Sequence, residues 1–221
     1  MKTILLFTVI FSFVSCKAQN DTIKLEFERG LNHYKNKNYK QAFKKFNNVI
    51  KLDSGYAEAY YYRGYIYQLN DSTYEKAYKD VDKAIRLGYQ NAESYSTRGF
   101  LAQYITGIKF EFDPKAYEES LKDLNKALEI DSTYSSAYMI RSSIWNMIYW
   151  GKSDSAAINI INDLTKYIKY KPEDPRGYVG RAHAKRTLSD LKGACEDYKK
   201  AYNLGSTYMK DEMENFCKEV N

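Results

Sequence analysis

From residue 21 onwards, apolar or small residues recur every third or fourth position, and polar residues fill the positions between them. This spacing places the recurring side chains on one face of an α-helix. The clearest examples are five triplets: Ala42, Phe46 and Val49; Ala77, Val81 and Ala84; Ser120, Leu124 and Ala127; Ile160, Leu164 and Tyr167; Ala194, Tyr198 and Ala201. The pattern predicts an all-α chain of amphipathic helices.

Upstream of each triplet stands a small residue preceded by arginine. The five pairs are Arg29-Gly30, Arg63-Gly64, Arg98-Gly99, Arg141-Ser142 and Arg181-Ala182, with steps of 34, 35, 43 and 40 residues. A small side chain lets two helices approach closely, and turn-forming residues such as Gly88 and Gly205 end the units. We therefore predict five helical hairpins, at residues 23–56, 57–91, 92–134, 135–174 and 175–206, and a capping helix over 207–221.

An aspartate precedes the central apolar position of the second helix in four of the five units. A charge among packed helices needs a partner of opposite sign. The arginine of each first helix and the aspartate of the following second helix therefore predict four ion pairs inside the hairpins. The first unit has Lys45 in place of the aspartate. Because the carboxylates repeat regularly, we interpret them as architectural rather than catalytic. The predicted pairs are Arg63–Asp80, Arg98–Asp123, Arg141–Asp163 and Arg181–Asp197.

The period near 34 residues, a tyrosine in the first helix (Tyr60, Tyr95, Tyr138, Tyr178) and the order Gly, Ala, aromatic, Ala resemble the tetratricopeptide repeat (TPR). The first unit departs from this pattern at Glu26 and the fourth at Ile160. The resemblance implies a right-handed α–α superhelix, a TPR solenoid. It also implies a concave surface, lined by the first helices, that binds a protein or peptide.

Some positions of the first helices point outward and are not among the repeated small and apolar positions that pack within a hairpin. Aromatic and polar-tipped side chains at such positions are typical of interface hot spots. The same rings could instead pack between neighbouring units. The predicted peptide-binding residues are Phe27, Leu31, Tyr34, Tyr61, Tyr65, Phe100, Tyr104, Met139, His183 and Arg186.

Two stretches exceed the length of the repeat, residues 105–114 and 145–152. Insertions of this kind often carry specificity. One interpretation is an exposed apolar patch, and the other is a longer helix whose apolar residues pack against the insert. The residues of the patch would be Phe110, Phe112, Tyr149 and Trp150.

The first residues predict a secretory leader. Lys2 precedes an apolar run that ends at Val14, and this run is shorter than the roughly 20 residues that span a bilayer. The sequence Phe13-Val14-Ser15-Cys16 resembles the lipobox of bacterial lipoproteins. The resemblance implies removal of residues 1–15, acylation of Cys16 and a short tether over 16–20. The protein would then be anchored in the bacterial envelope, at the outer membrane on its periplasmic or surface side. An ordinary secretory signal is the alternative.

Cys195 and Cys217 remain after Cys16 is assigned to the anchor. They lie at equal distances from a chain reversal near Ser206, so antiparallel helices would bring them to the same height. We expect a disulfide in an exported protein. Buried free thiols or a reactive cysteine are the alternatives.

Motifs for catalysis are absent from the sequence. His33 and His183 are the only histidines, and no cysteine or histidine spacing fits a zinc site. There is no glycine-rich phosphate loop. The chain of 221 residues carries a net charge of +6. The cluster Lys35, Lys37, Lys40, Lys44 and Lys45 is either a solvated helix face or a patch for anionic lipid headgroups or nucleic acid. We expect no enzyme activity, no cofactor, no metal and, because of export, no nucleic acid partner.

Together these features predict a non-catalytic scaffold or adaptor, anchored in the envelope, that binds a protein or peptide. An accessory subunit of a nutrient-uptake or glycan-binding complex is the alternative. In either case a lipid on Cys16 would provide the contact with the membrane.

Overall fold

The computed structural model describes residues 2–69, 73–107, 114–149, 153–207 and 210–220. The described residues form helices and turns and contain no β-strand. The chain divides into two compact units, residues 1–90 and residues 91–221. The predicted all-α class is therefore confirmed.

Residues 1–90 contain two helical hairpins. The backbone is helical without a break through the predicted leader and tether, so the first helix begins well before the first repeat. Hairpin 1 consists of α1 (Lys2–Lys35) and α2 (Tyr39–Leu52), and hairpin 2 consists of α3 (Ala57–Gln68) and α4 (Tyr74–Arg86).

Residues 91–221 contain three hairpins and a C-terminal helical segment. Hairpin 3 is α5 (Ala92–Gly107) with α6 (Pro114–Ile130), hairpin 4 is α7 (Ser135–Tyr149) with α8 (Asp154–Tyr170), and hairpin 5 is α9 (Pro175–Thr187) with α10 (Leu191–Asn203). A π-helical turn, Glu212–Phe216, then leads into α11 (Cys217–Val220). The predicted five hairpins with a helical cap are confirmed.

The helices end where the turn-forming residues predict. Gly88 and Gly205 follow α4 and α10 with φ of 103° and 95°, in the left-handed region that ends helices and favours glycine. At the start of α9, Pro175 occupies the first turn and the Asp174 side chain accepts a hydrogen bond from the Arg176 backbone N–H. Local chemistry therefore fixes the edges of these helices.

The glycines of the first three units, Gly30, Gly64 and Gly99, each lie against the second helix of their own hairpin. A Cβ atom added to Gly64 would lie 3.0 Å from Val81 Cγ2, and one added to Gly99 would lie 3.0 Å from the Ser120 carbonyl oxygen. Space for a larger side chain is therefore missing at both positions. This close approach explains why small residues recur at the repeat period.

All four predicted arginine–aspartate pairs are present. In each hairpin from 2 to 5, the guanidinium Nε and Nη2 donate to the two carboxylate oxygens over 2.5–2.9 Å. The tyrosine three residues before each arginine lies under the guanidinium, with 5.3–5.8 Å from Cζ to the ring centroid. The pairs join the two helices of a hairpin at a mostly buried point, so we interpret them as structural.

Arg63, Arg141 and Arg181 also link successive hairpins. Arg63 Nη1 donates to Asn47 Oδ1 over 2.6 Å, which joins hairpin 2 to hairpin 1. In residues 91–221, Arg141 donates in the same way to Asn125 over 2.5 Å and Arg181 to Thr165 over 3.1 Å. The arginine column therefore stabilises contacts within hairpins and between them.

Each compact unit buries apolar clusters of its own. In residues 1–90, Phe27 and Phe46 pack with Ile23, Ala42 and Val49 of hairpin 1 and with Ala59 of hairpin 2. In residues 91–221, separate clusters centre on Leu124 with Ile144, on Leu164 with Tyr167, and on Tyr198. No helix in the described part of the chain is long and apolar enough to cross a membrane.

Candidate functional site

A pocket of about 260 Å³ lies between hairpins 4 and 5, within residues 91–221. Its walls come from the first helices α7 and α9, and its floor comes from α8. The floor is apolar and the rim is polar. The lining residues are Met139, Ser142, Ser143, Trp145, Asn146, Ser153, Ala156, Ala157, Ile160, Leu164, Arg176, Gly180, His183, Ala184 and Thr187.

Helix α7 provides one wall through Met139, Ser142, Ser143 and Asn146, which lie three or four residues apart and so share a face. The Ser142 hydroxyl donates to the Met139 carbonyl oxygen over 2.8 Å, and the Ser143 hydroxyl donates to the backbone one turn earlier in the same way. Because both protons are engaged inside the helix, the two hydroxyl oxygens remain as acceptors for a ligand.

Helix α9 provides the opposite wall through Gly180, His183, Ala184 and Thr187, again on one helical face. A Cβ added to Gly180 would lie 2.7 Å from Leu164 Cδ1, so this glycine lets α9 come close to α8. His183 and Thr187 are exposed, while Ala184 is buried. The wall therefore combines an apolar base with an accessible polar edge.

Arg176 stands at the pocket in a fixed network. Its Nε and Nη2 donate to the Asp174 carboxylate, and Nη2 also donates to the Tyr167 hydroxyl over 3.3 Å. The Tyr167 hydroxyl in turn donates to Asp174 Oδ2 over 2.6 Å. These bonds hold the guanidinium in one orientation, so a ligand would meet a charge that is already positioned.

The same network shifts the pKa of each of its three groups. Hydrogen bonds from Arg176 hold the pKa of the Asp174 carboxyl well below its usual range. The Asp174 carboxylate raises the pKa of the Arg176 guanidinium. Burial raises the pKa of Tyr167, and its hydrogen bond to Asp174 adds to the rise. At neutral pH this network therefore consists of a carboxylate, a guanidinium and a neutral phenol, of which only the Arg176 guanidinium lines the pocket.

The structure brings only part of the predicted peptide-binding set to the pocket. Met139 and His183 line it. Arg186 is exposed one turn beyond His183, with its Cζ 4.6 Å from the Phe216 ring centroid. Phe100 and Tyr104 pair in α5 with ring centroids 5.1 Å apart, and both are half-buried. Arg186, Phe100 and Tyr104 all lie outside the pocket.

The other predicted residues lie in hairpins 1 and 2. Leu31, Tyr34 and Tyr65 are half-buried, and the rings of Tyr34 and Tyr65 meet edge to face at 5.6 Å. Phe27 and Tyr61 are only 8% and 1% exposed, so their predicted outward placement is wrong. The reason is that a first helix contacts the next hairpin as well as its own second helix, which leaves less of its surface open.

Several lining residues are missing from the predicted set. Ser142, Ser143, Asn146 and Thr187 are polar and share helical spacing with Met139 or His183, which is the signal that could have identified them. The sequence pattern places Trp145 instead in the inserted stretch that begins at this residue. Arg176 stands at the start of its helix, where sequence alone indicates an N-terminal turn.

Some predicted features cannot be placed. Phe110, Phe112, Trp150 and the side chain of Tyr149 lie outside the described residues, so the proposed apolar patch stays a prediction. The Cys16 side chain lies outside the description as well. Within the described chain, no cluster of three or more histidine, cysteine, aspartate or glutamate residues could hold a metal ion.

Cys195 and Cys217 form a disulfide in the structure, with their Cα atoms 5.5 Å apart. Both residues are buried. The bridge joins α10 to the last helix, and next to it Phe216 packs edge to face on Tyr198 with centroids 6.0 Å apart. The C-terminal segment thereby closes the end of hairpin 5.

The sequence matches no known protein family, and no curated protein matches it significantly. Solved structures are similar in fold. MamA is 17% identical with a TM-score of 0.65, covering 89% of this chain and 96% of that one. YrrB, described as a TPR protein with an unusual peptide-binding site, is 17% identical with a TM-score of 0.62, covering 87% and 94%. PilF of Pseudomonas aeruginosa is 14% identical with a TM-score of 0.66, covering 92% of each chain. The chain has the fold of tetratricopeptide-repeat proteins.

Proposed function

We propose that this chain is a non-catalytic scaffold that binds a protein or peptide partner through the pocket between α7, α8 and α9. The observation that carries the proposal is the composition of this pocket. It has an apolar floor around Ile160 and Leu164, acceptor hydroxyls on one wall and a positioned guanidinium at the rim. A peptide segment offers an apolar side chain for the floor, backbone N–H groups for the hydroxyl acceptors and a charged side chain for the guanidinium.

The structural comparisons support the proposal by analogy of fold. YrrB, one of the similar structures, is a TPR protein that has a peptide-binding site by its own description. A shared fold does not by itself transfer a function, so the proposal rests on the residues of the pocket in this chain. The helices that form its two walls, α7 and α9, are the first helices of successive hairpins.

We also propose that the scaffold is anchored in the bacterial envelope by a lipid on Cys16. The support is the sequence alone: the charged start, the apolar run and the lipobox-like Phe13-Val14-Ser15-Cys16. Acyl chains on both the sulfur and the amine would supply the two or more signals that stable membrane attachment needs. Labelling of cells with an alkynyl palmitate analogue should mark the wild-type chain and not the Cys16→Ser variant. Equal labelling of both would refute the anchor.

A pull-down from the native envelope in mild detergent tests the binding function. The full-length wild-type chain should retain one partner at near-equal stoichiometry. Thr187→Tyr places a bulky ring at the exposed mouth of the pocket and should release that partner. Glu196→Tyr is the matched control, because it places the same ring at an exposed position of α10 that does not line the pocket. If both variants kept the partner equally, the pocket would not be its binding site.

A further inference from the structure

Arg176 is the one permanently charged residue that lines the pocket within the described chain. Its lining residues there include no aspartate or glutamate. The nearby carboxylate of Asp174 is already bound to Arg176. A ligand that brings a carboxylate would therefore be favoured over one that brings an ammonium group.

Arg176 is prepared to receive such a carboxylate. Asp174 and Tyr167 engage Nε and Nη2, while Nη1 has no hydrogen-bond partner among the described residues. The guanidinium is exposed enough to be reached, since its side chain retains 70% of its accessible surface. Binding would cost little rotamer entropy, because the protein already holds the group in place.

The rest of the pocket fits one large apolar side chain. Its volume of about 260 Å³ lies below the range of roughly 300–1,000 Å³ that holds drug-sized molecules. Ile160, Leu164 and Ala184 form its apolar base, and Trp145 and Met139 flank it. The hydroxyl oxygens of Ser142 and Ser143 can accept from the backbone N–H groups on either side of an inserted residue.

We propose that the pocket recognises a peptide segment in which a large apolar residue is flanked by an aspartate or glutamate. The apolar side chain enters the pocket, and the neighbouring carboxylate pairs with Arg176. This inference rests on the proposed function and specifies the partner's chemistry: the recognised segment is acidic and hydrophobic rather than basic.

Fluorescence anisotropy with the full-length protein in detergent tests this specificity. The probes are short, end-capped, alanine-based peptides with a central Leu, Met, Phe or Trp, flanked by glutamate, glutamine or lysine. We expect the glutamate series to bind about tenfold more tightly than the glutamine series, as one charge-assisted hydrogen bond allows. The lysine series should bind most weakly, and salt should reduce the difference.

Two variants separate the proposal from a general effect of charge. Arg176→Gln keeps the backbone N–H that donates to the capping Asp174 side chain, so α9 should remain folded. This variant should abolish the preference for glutamate over glutamine. Arg86→Gln removes an exposed arginine of hairpin 2 and should leave the preference unchanged. Equal binding of the two series to wild type, or a preference that survives Arg176→Gln, would overturn this inference alone. Failure of every peptide to bind would overturn the proposed peptide pocket as well.

Discussion

Hairpins 1 and 2 lie in the same compact unit, and each links its two helices by a different ion pair. Hairpin 2 uses the repeated arrangement, in which Arg63 binds Asp80 through two hydrogen bonds of 2.7 Å and stacks over Tyr60. In hairpin 1, Glu26 replaces the tyrosine and Lys45 replaces the aspartate, and these two residues bind each other at 3.0 Å.

The comparison shows what the hairpin requires at this point. In hairpin 1 the positive charge, Lys45, lies on the second helix and the negative charge, Glu26, on the first, which is the reverse of hairpin 2. An ion pair still links the two helices. Arg29, the equivalent of Arg63, is left largely exposed and bonds only Glu26 among its described contacts. What hairpins 1 and 2 have in common is therefore a paired charge between helices, and the residues that supply it can change together.

The largest expected effect is the loss of the aspartate in hairpin 2. Asp80→Ala leaves Arg63 in a mostly buried position without its partner, which should lower the free energy of unfolding by about 3 kcal/mol. Urea unfolding followed by circular dichroism measures this. Glu75→Ala, which removes an exposed i,i+4 pair of the same helix, is the control and should leave the curve unchanged. Identical curves for the two variants would contradict a structural role for the pair.

A smaller loss is expected from the glycine of hairpin 1. A Cβ at Gly30 would lie 2.6 Å from Cε1 of the fully buried Phe46, so Gly30→Ala should overpack this contact and cost about 1–3 kcal/mol. Gly64→Ala meets its nearest atom at 3.0 Å and should cost less. The same urea titration decides the order. A stabilised Gly30→Ala variant would mean that helix propensity outweighs the close contact.

Converting hairpin 1 to the pattern of hairpin 2 tests whether its two exchanged residues act together. Lys45→Asp alone puts a carboxylate beside Glu26 and should destabilise the protein. Adding Glu26→Tyr removes that repulsion and lets Arg29 take the role of Arg63, which should recover about 1 kcal/mol. A double-mutant cycle measures the coupling. Strictly additive effects of the two substitutions would show that the residues do not interact.

The smallest effect is a pH dependence of hairpin 1. Hydrogen bonds from Lys45, with help from Arg29, hold the pKa of Glu26 below its ordinary value. A carboxyl of this kind stabilises the fold above its unfolded pKa of roughly 4.3, and the contribution is lost as pH falls through the folded pKa. Between pH 6 and pH 3, the melting temperature of Glu26→Gln should fall less than that of wild type. If the melting temperatures of the two proteins fell in parallel with pH, Glu26 would not contribute to the loss of stability in acid.

The repeated features were predictable from sequence because each occurs several times in register. Columns of arginine, aspartate and small residues predict the pairs and the close helix contacts without any knowledge of distance. The sequence pattern does not predict the pairing of Glu26 with Lys45, because each of the two residues occurs once and is only a departure from the repeat. Periodicity assigns a residue to a helical face, but it does not say which neighbour covers that face.

The candidate site shows this limit most clearly. Tyr61 lies on the predicted outward face, yet its ring packs against Tyr62 and Tyr89 with centroids 5.4 and 4.9 Å away. Conversely, Trp145 and Arg176 enter the pocket only because α7, α8 and α9 converge, and this convergence depends on distances between three helices. A single sequence carries the spacing along each helix and not the gap between them.

The most direct test of the account is site-specific photocrosslinking from the pocket in native envelopes. A benzophenone amino acid at position 187, on the exposed rim, should yield one dominant crosslinked partner. The same group at position 196, exposed on α10 away from the pocket, should not yield it. Mapping of the crosslinked peptide should find an acidic residue beside a large apolar one. The same product from both positions, or none from position 187 while the partner remains bound, would contradict the claim that this pocket is where the scaffold binds.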